Sequence, residues 1–193
     1  MKKPVCGCST CIVAVREDDQ IVMGGDSAGA YSDLSVRTRQ DEKVFINNGF
    51  IIGFTTSFRM GQLLRYNFKP PKHPVGMSNM EYLVSKFIEE VRKCFTDAAY
   101  TNGTFIVGYR GEIYTVEGDF QVGHGLDNYA AVGCGAYYAL GALYASENKK
   151  MTADARVTLA LSAAEKFSGG VGKPFNILHL PNSLTKSNKA KKK

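Results

Sequence analysis

The chain has 193 residues, 44% of them apolar and 11% aromatic, enough for one domain with a sizeable core. No apolar run approaches the roughly 20 residues that span a bilayer, and the start, MKKPVCGCS, lacks the apolar stretch of a secretory signal. The formal net charge of +6 is concentrated in Lys186, Lys189, Lys191, Lys192 and Lys193, so residues 181–193 read as a disordered basic tail, and its lack of interleaved aromatics points away from nucleic acid.

Residues 10–16 and 20–25 are short apolar, β-branched runs divided by Glu17-Asp18-Asp19, the pattern of two strands joined by a polar turn. Residues 43–47 and 50–54 flank Asn48-Gly49, a pair that tolerates positive φ and marks a second hairpin. Phe58, Leu63, Leu64 and Phe68 fall on one helical face before the prolines of KPPKHP stop it. From Asn79 to Ala98, Leu83, Phe87, Val91 and Phe95 recur at intervals of four, which predicts a longer helix with its apolar stripe against a sheet. Residues 103–109 and 111–117 form a third hairpin around Arg110-Gly111, and 128–133 a strand that enters Gly133-Cys134-Gly135. Helices over 136–147 and 152–167 and a last strand from Phe175 to Leu180 complete the order. That order predicts an α+β fold of two packed sheets with helices outside, not a β-α-β winding.

Thr10 heads the run Thr10-Cys11-Ile12-Val13-Ala14-Val15-Arg16, and Gly24-Gly25-Asp26 ends the next. A hydroxyl is a poor nucleophile near neutral pH unless a base takes its proton, and a free α-amine on the same residue supplies one. A cut before Thr10 would create that pair. Five cysteines, three of them at Cys6, Cys8 and Cys11, fit the reduced thiols of a cytoplasmic protein. The C-x-C-x-x-C cluster offers three ligands and no nearby histidine, so neither a metal nor a cofactor is expected. His73, His124 and His179 are widely spaced and read as surface or packed side chains, and Cys94 as a small core residue. Gly133-Cys134-Gly135 lacks the third glycine of a dinucleotide loop, where Tyr138 stands.

The stretch from Thr10 through Asp26, with Lys43-Val44-Phe45, Gly53-Phe54-Thr55 and Ala131-Val132-Gly133-Cys134-Gly135, resembles the N-terminal nucleophile (Ntn) hydrolases, specifically the proteasome β subunits and HslV. The resemblance implies a four-layer αββα sandwich of two mainly antiparallel sheets over residues 10–180, with residues 1–9 a candidate propeptide. It implies that Thr10 is the nucleophile once exposed, and that Lys43 and Asp26 stand at the family's lysine and carboxylate. A lysine ammonium beside Thr10 would depress the pKa of a nearby amine and stabilise negative charge, with Asp26 holding it in place. In the family the oxyanion donors come from the loop matching Gly53-Phe54-Thr55-Thr56-Ser57, which assigns the donor to Thr56, where relatives prefer glycine. Cys134 stands where relatives have a serine between two glycines. Ser168 lies in Phe167-Ser168-Gly169-Gly170-Val171-Gly172, where β subunits place an aspartate and then a serine, and no carboxylate occurs there. Ser9 precedes the nucleophile where many relatives have glycine.

The activity so implied is that of a threonine-type endopeptidase acting on peptides or unfolded proteins, assembled as a homo-oligomeric ring, with an ATP-driven unfoldase as a candidate partner. Two other readings stay open: an unprocessed, catalytically silent assembly subunit, and an Ntn amidohydrolase that acts on a small amide.

Overall fold

The computed structural model describes residues 9–30, 35–100 and 103–182. Cys6, Cys8, nearly all of the candidate propeptide and the lysine-rich tail lie outside the described residues. The first four strands are β1 (Cys11–Arg16), β2 (Gln20–Gly25), β3 (Ala28–Ala30) and β4 (Val36–Thr38), followed by β5 (Val44–Asn47) and β6 (Phe50–Phe54). Helix α1 (Phe58–Gln62) runs into a π-helical turn over Leu63–Asn67, and α2 (Asn79–Tyr82) runs through another, Leu83–Phe87, into α3 (Ile88–Asp97). Then come β7 (Phe105–Tyr109), β8 (Glu112–Val116), β9 (Val122–Gly123) and β10 (Tyr129–Gly133), helices α4 (Ala136–Ala145) and α5 (Ala153–Phe167), and β11 (Asn176–Pro181).

One sheet has the order β10-β1-β2-β11 and the other β5-β6-β7-β8-β9, with every pairing antiparallel. Strand alternation divides the apolar residues among three layers. Ile12, Ala14, Ile21 and Met23 of the first sheet meet Val44, Ile51, Ile106 and Ile113 of the second. The opposite faces of β1 and β2 offer Cys11, Val13, Val15 and Val22 to Ala139 and Leu143 of α4 and to Val157, Ala160, Leu161 and Ala164 of α5. Phe50, Phe54, Phe105, Tyr109 and Tyr114 of the second sheet pack against Leu63, Leu64, Tyr82, Phe87, Val91 and Phe95. The layers are therefore α, β, β, α, as the resemblance implies. Because both faces of β1 are covered, its sequence is a continuous apolar run, and each large side chain so buried contributes about 1.5–3 kcal/mol. Gly53 keeps the two sheets close, since a Cβ there would lie 2.5 Å from Ile12 and 2.8 Å from the Met23 sulfur.

The sequence-based elements differ from the observed ones in a few places. The ribbon of β3 and β4 and the short β9 have no alternating pattern to announce them. The first helix is interrupted by its π turn, and Phe58, Leu63 and Phe68 stand five apart, the spacing that aligns residues across such a turn. Cys94 is half-buried at the edge of the outer core, not enclosed within it. Among the described residues no helix is long and apolar enough to cross a membrane.

Candidate active site

Thr10 immediately precedes β1, at the end of the sandwich where β2 runs into Asp26 and Lys43 leads into β5. Three segments far apart in sequence meet there because the β1–β2 hairpin sets Ile12 opposite Gly25, and the inter-sheet core sets β2 against β5. Thr10 is 5% exposed, Asp26 2% and Lys43 1%. Such burial of charge is tolerated only where each polar atom is paired.

The pairing is complete. Lys43 Nζ donates to Asp26 Oδ1 at 2.8 Å, to the Ser9 carbonyl at 2.9 Å and to the Ala28 carbonyl at 2.5 Å, which uses all three ammonium protons. Burial pushes the Lys43 pKa below the ordinary lysine value, and the Asp26 carboxylate offsets part of that shift. Asp26 accepts four donors: Cys11 N (2.9 Å) and Lys43 Nζ at Oδ1, Ala28 N (2.9 Å) and Gly172 N (3.2 Å) at Oδ2. Among the described residues no buried side-chain nitrogen or oxygen lacks a partner. The Thr10 hydroxyl donates to the Ser9 carbonyl oxygen, the atom that Lys43 already contacts.

The turn after β10 holds the backbone of Thr10. Gly133 has φ +99°, and a Cβ there would lie 2.3 Å from the Thr10 carbonyl oxygen, so only glycine fits. Cys134 Sγ lies 3.4 Å from Thr10 N and 3.4 Å from Thr10 O, and Gly135 N donates to Thr10 O at 3.3 Å. Ser168, at the C-terminal cap of α5, reaches the cluster through Cys134 Sγ, at 3.4 Å. The same segment reaches Asp26 through its backbone, Gly172 N donating to Oδ2.

Thr56 lies in the loop after β6 with φ +66°, a conformation that is rare for a β-branched residue and explains why glycine suits the position. Ser57 N donates to Thr55 O at 2.7 Å, so Thr56 is the centre of a tight three-residue turn. Its hydroxyl lies 3.1 Å from Thr55 Oγ1 and accepts from Thr104 N at 3.4 Å, contacts that hold the turn. A cavity of about 40 Å³ separates this loop from the threonine, lined by Ser9, Thr10, Lys43, Phe54, Thr55, Thr56, Ser57 and Phe58.

All six sequence-derived candidates, Thr10, Asp26, Lys43, Thr56, Cys134 and Ser168, thus converge on one end of the sandwich. The sequence reading did not find Ala28, whose carbonyl and amide tie Lys43 to Asp26, or Gly172, because backbone groups carry no residue-type signal. Cys11, the one described member of the cysteine cluster, faces the α4–α5 layer, and burial raises its thiol pKa well above the ordinary value. His73 packs between Tyr82 and Tyr109, and His179 pairs with Asp154 at the surface, both away from Thr10.

No protein-family profile and no curated protein matches the chain. Solved structures do. The chain is similar to Thiobacillus denitrificans BPH in complex with epoxomicin, at TM-score 0.75 and 19% identity over 90% of this chain and 99% of that one. It is similar to eukaryotic HslV from Trypanosoma brucei, at TM-score 0.65 and 19% identity over 89% and 99% of the two chains. It is also similar to Anbu (ancestral beta-subunit) from Yersinia bercovieri, at TM-score 0.65 and 14% identity over 89% and 81%. At these identities the likeness is one of fold, and the sandwich is the Ntn-hydrolase fold of these proteasome-like peptidases.

Proposed function

We propose that the protein is a threonine-type peptidase of the proteasome and HslV kind, in which autocatalytic cleavage of the Ser9–Thr10 bond frees Thr10 as nucleophile. The observation that carries this reading is the placement of Lys43 Nζ and the Thr10 hydroxyl on one atom, the Ser9 carbonyl oxygen. In the processing step Thr10 Oγ1 attacks the Ser9 carbonyl carbon, passing its proton to water, and the carbonyl oxygen takes up negative charge beside the Lys43 ammonium. Collapse breaks the Ser9–Thr10 C–N bond, the amine leaves with a proton, and an ester links Ser9 to Thr10 Oγ1. Water hydrolyses that ester, releasing residues 1–9 as a carboxylate and leaving a free Thr10 amine.

Turnover repeats the chemistry on a substrate. The Thr10 amine, beside Cys134 Sγ, takes the hydroxyl proton as Oγ1 attacks a peptide carbonyl, and the proton then passes to the departing amine. The nearby Lys43 charge keeps the Thr10 amine neutral at a lower pH than an isolated amine. The Thr56 N–H, in the turn that lines the cavity, would be the donor that holds the oxyanion of the substrate, a contribution worth about 2.7–4 kcal/mol in comparable sites. Hydrolysis of the acyl ester on Thr10 regenerates the enzyme.

The proposed domain is residues 10–180, preceded by a propeptide of nine residues and followed by a basic tail, and the proposed assembly is a homo-oligomeric ring in the cytoplasm that admits unfolded chains, with an ATP-driven unfoldase as partner. A peptide-hydrolysis assay with Thr10→Ala as control tests the activity, and epoxomicin, held by the Thiobacillus neighbour, serves as an inhibitor probe. Thr10-dependent cleavage that epoxomicin suppresses is expected. Processed protein that cleaves no peptide in a Thr10-dependent way would contradict the peptidase reading.

A further inference from the structure

A cut at Ser9–Thr10 would leave a primary amine and a thiol side by side. Thr10 N donates to Cys134 Sγ at 3.4 Å, and the same sulfur lies 3.4 Å from the Thr10 carbonyl oxygen and 3.4 Å from Ser168 Oγ. The backbone on both sides keeps Thr10 there: Gly135 N donates to Thr10 O at 3.3 Å, and Cys11 N donates to Asp26 Oδ1 at 2.9 Å. None of these contacts involves Ser9, so the nitrogen stays beside the sulfur once the bond before it is gone.

The three described cysteines sit in unlike surroundings. Cys11 is fully enclosed, and burial, followed by the charge of Asp26, pushes its thiol pKa well above the ordinary value. Cys94 is pushed up by burial and by the carboxylates of Asp97 and Glu90. Cys134 is partly exposed, its sulfur interacts electrostatically with the Lys43 ammonium, and the Ser168 hydroxyl stands against it. Partial exposure beside a cation is the setting in which a thiol is oxidised. Cys6 and Cys8 would leave with residues 1–9 and could not compete.

We propose that Cys134 and the free Thr10 amine form a reversible sulfur–nitrogen bond, a sulfenamide, when the processed protein meets a peroxide. The inference rests on cleavage at Ser9–Thr10 and adds a modification site to that reading. In the first step the Cys134 sulfur attacks one oxygen of hydrogen peroxide and the O–O bond breaks, giving a sulfenic acid and water; the sulfur gives up two electrons and the peroxide takes them. In the second the Thr10 nitrogen attacks that sulfur, the S–O bond breaks, and the departing hydroxide takes a proton from nitrogen and leaves as water. The amine is held in contact with the sulfur, which favours this step over attack by a second peroxide from solution. Cys11 is close enough to interact electrostatically with Cys134, but its enclosed, protonated thiol is a poor nucleophile. Two molecules of a thiol reductant reverse the bond: the first opens it to a mixed disulfide and returns the amine, and the second releases Cys134. While the bond stands, the nitrogen carries sulfur and is a weak base, so the Thr10 hydroxyl has no partner to take its proton.

The test treats the processed protein, obtained from the full chain, with hydrogen peroxide and reads intact mass, a proteolytic map and Thr10-dependent peptide hydrolysis. The bonded form should be ~2 Da lighter than the reduced processed form, one amine and one thiol hydrogen having gone. The map should show the peptide that begins at Thr10 linked to the peptide that contains Cys134. In the linked fraction kcat/KM should fall at least ~100-fold, the loss expected when a general base is disabled. Dithiothreitol should restore both mass and activity. Cys134→Ser should form no link, and its treated and untreated activities should agree. Oxygen added at Cys134 with the Thr10 amine still free, or a Cys11–Cys134 disulfide in place of the link, would overturn the inference and leave the peptidase reading intact. A processed protein that forms the link but cleaves no peptide would uphold the inference and contradict the peptidase reading alone. Protein that never exposes Thr10 would contradict both. The wild-type mass and map decide the matter if Cys134→Ser does not fold.

Discussion

The cluster at Thr10 and the aromatic layer beneath α2 and α3 are both buried, and they are held together by opposite means. Around Phe50, Phe87, Tyr82 and Tyr109, rings pack at centroid distances of 4.1 to 6.3 Å, and shape and area supply the stability. Around Lys43 and Asp26 there is little apolar area to gain, and the arrangement persists because six hydrogen bonds saturate one ammonium and one carboxylate, their mutual bond serving both. The first kind of interior tolerates rearrangement, whereas the second fails when any member is lost.

The largest expected effect follows from breaking the ion pair. Lys43→Met leaves the Asp26 carboxylate buried with its three backbone donors but no counter-charge, and should lower unfolding stability by about 3–5 kcal/mol in urea titration, with loss of processing. Adding Asp26→Asn should recover part of that stability without recovering processing; additive losses in the double variant would show that the two charges are not coupled. In the aromatic layer, Phe87→Ala should also cost about 3–5 kcal/mol, by cavity formation. Processing should nonetheless continue wherever this variant remains folded, and a block there would tie the two regions together.

A smaller effect concerns the loop at the cavity mouth. Thr56→Gly relieves the φ +66° strain and should raise stability by about 1 kcal/mol, seen as a higher Tm, while Thr56→Val keeps the strain, loses the hydroxyl contacts and should lower it. Equal Tm values for the two variants, neither of which has the hydroxyl, would show that the backbone at Thr56 carries no strain. The pH dependence has a defined sign. Because the folded pKa of Lys43 is lowered from 10.5, the unfolded chain holds that proton more tightly, so this group favours folding increasingly as pH rises from the folded pKa toward 10.5. The same shift places the alkaline limb of peptidase activity below the ordinary lysine range, where the ammonium beside Thr10 is lost; a limb at or above 10.5 would count against Lys43 as its source.

Much of the frame was legible because local chemistry dictates it. Asn48-Gly49 and Arg110-Gly111 both adopt the paired positive φ of tight hairpins, at 47° and 83° and at 49° and 81°. The stripe Leu83, Phe87, Val91 and Phe95 is buried throughout. The ribbon at Ala28–Ala30 was hidden because small residues carry no alternation, yet its backbone completes the lysine site. The spacing of Thr10, Asp26 and Lys43 marked them as candidates through resemblance, but the Arg39 guanidinium, 3.8 Å from the centroid of the Phe58 ring, gets there by tertiary contact and left no local pattern to read.

The central claim is that this polar cluster cuts the chain at Ser9–Thr10 and then works through the exposed threonine. The intact mass of protein purified from expression of the full 193-residue chain tests it most directly. The account predicts a species that begins at Thr10, and retention of the full-length mass in the Thr10→Ala and Lys43→Met variants. A homogeneous full-length mass for the wild-type protein in its assembled state would contradict it.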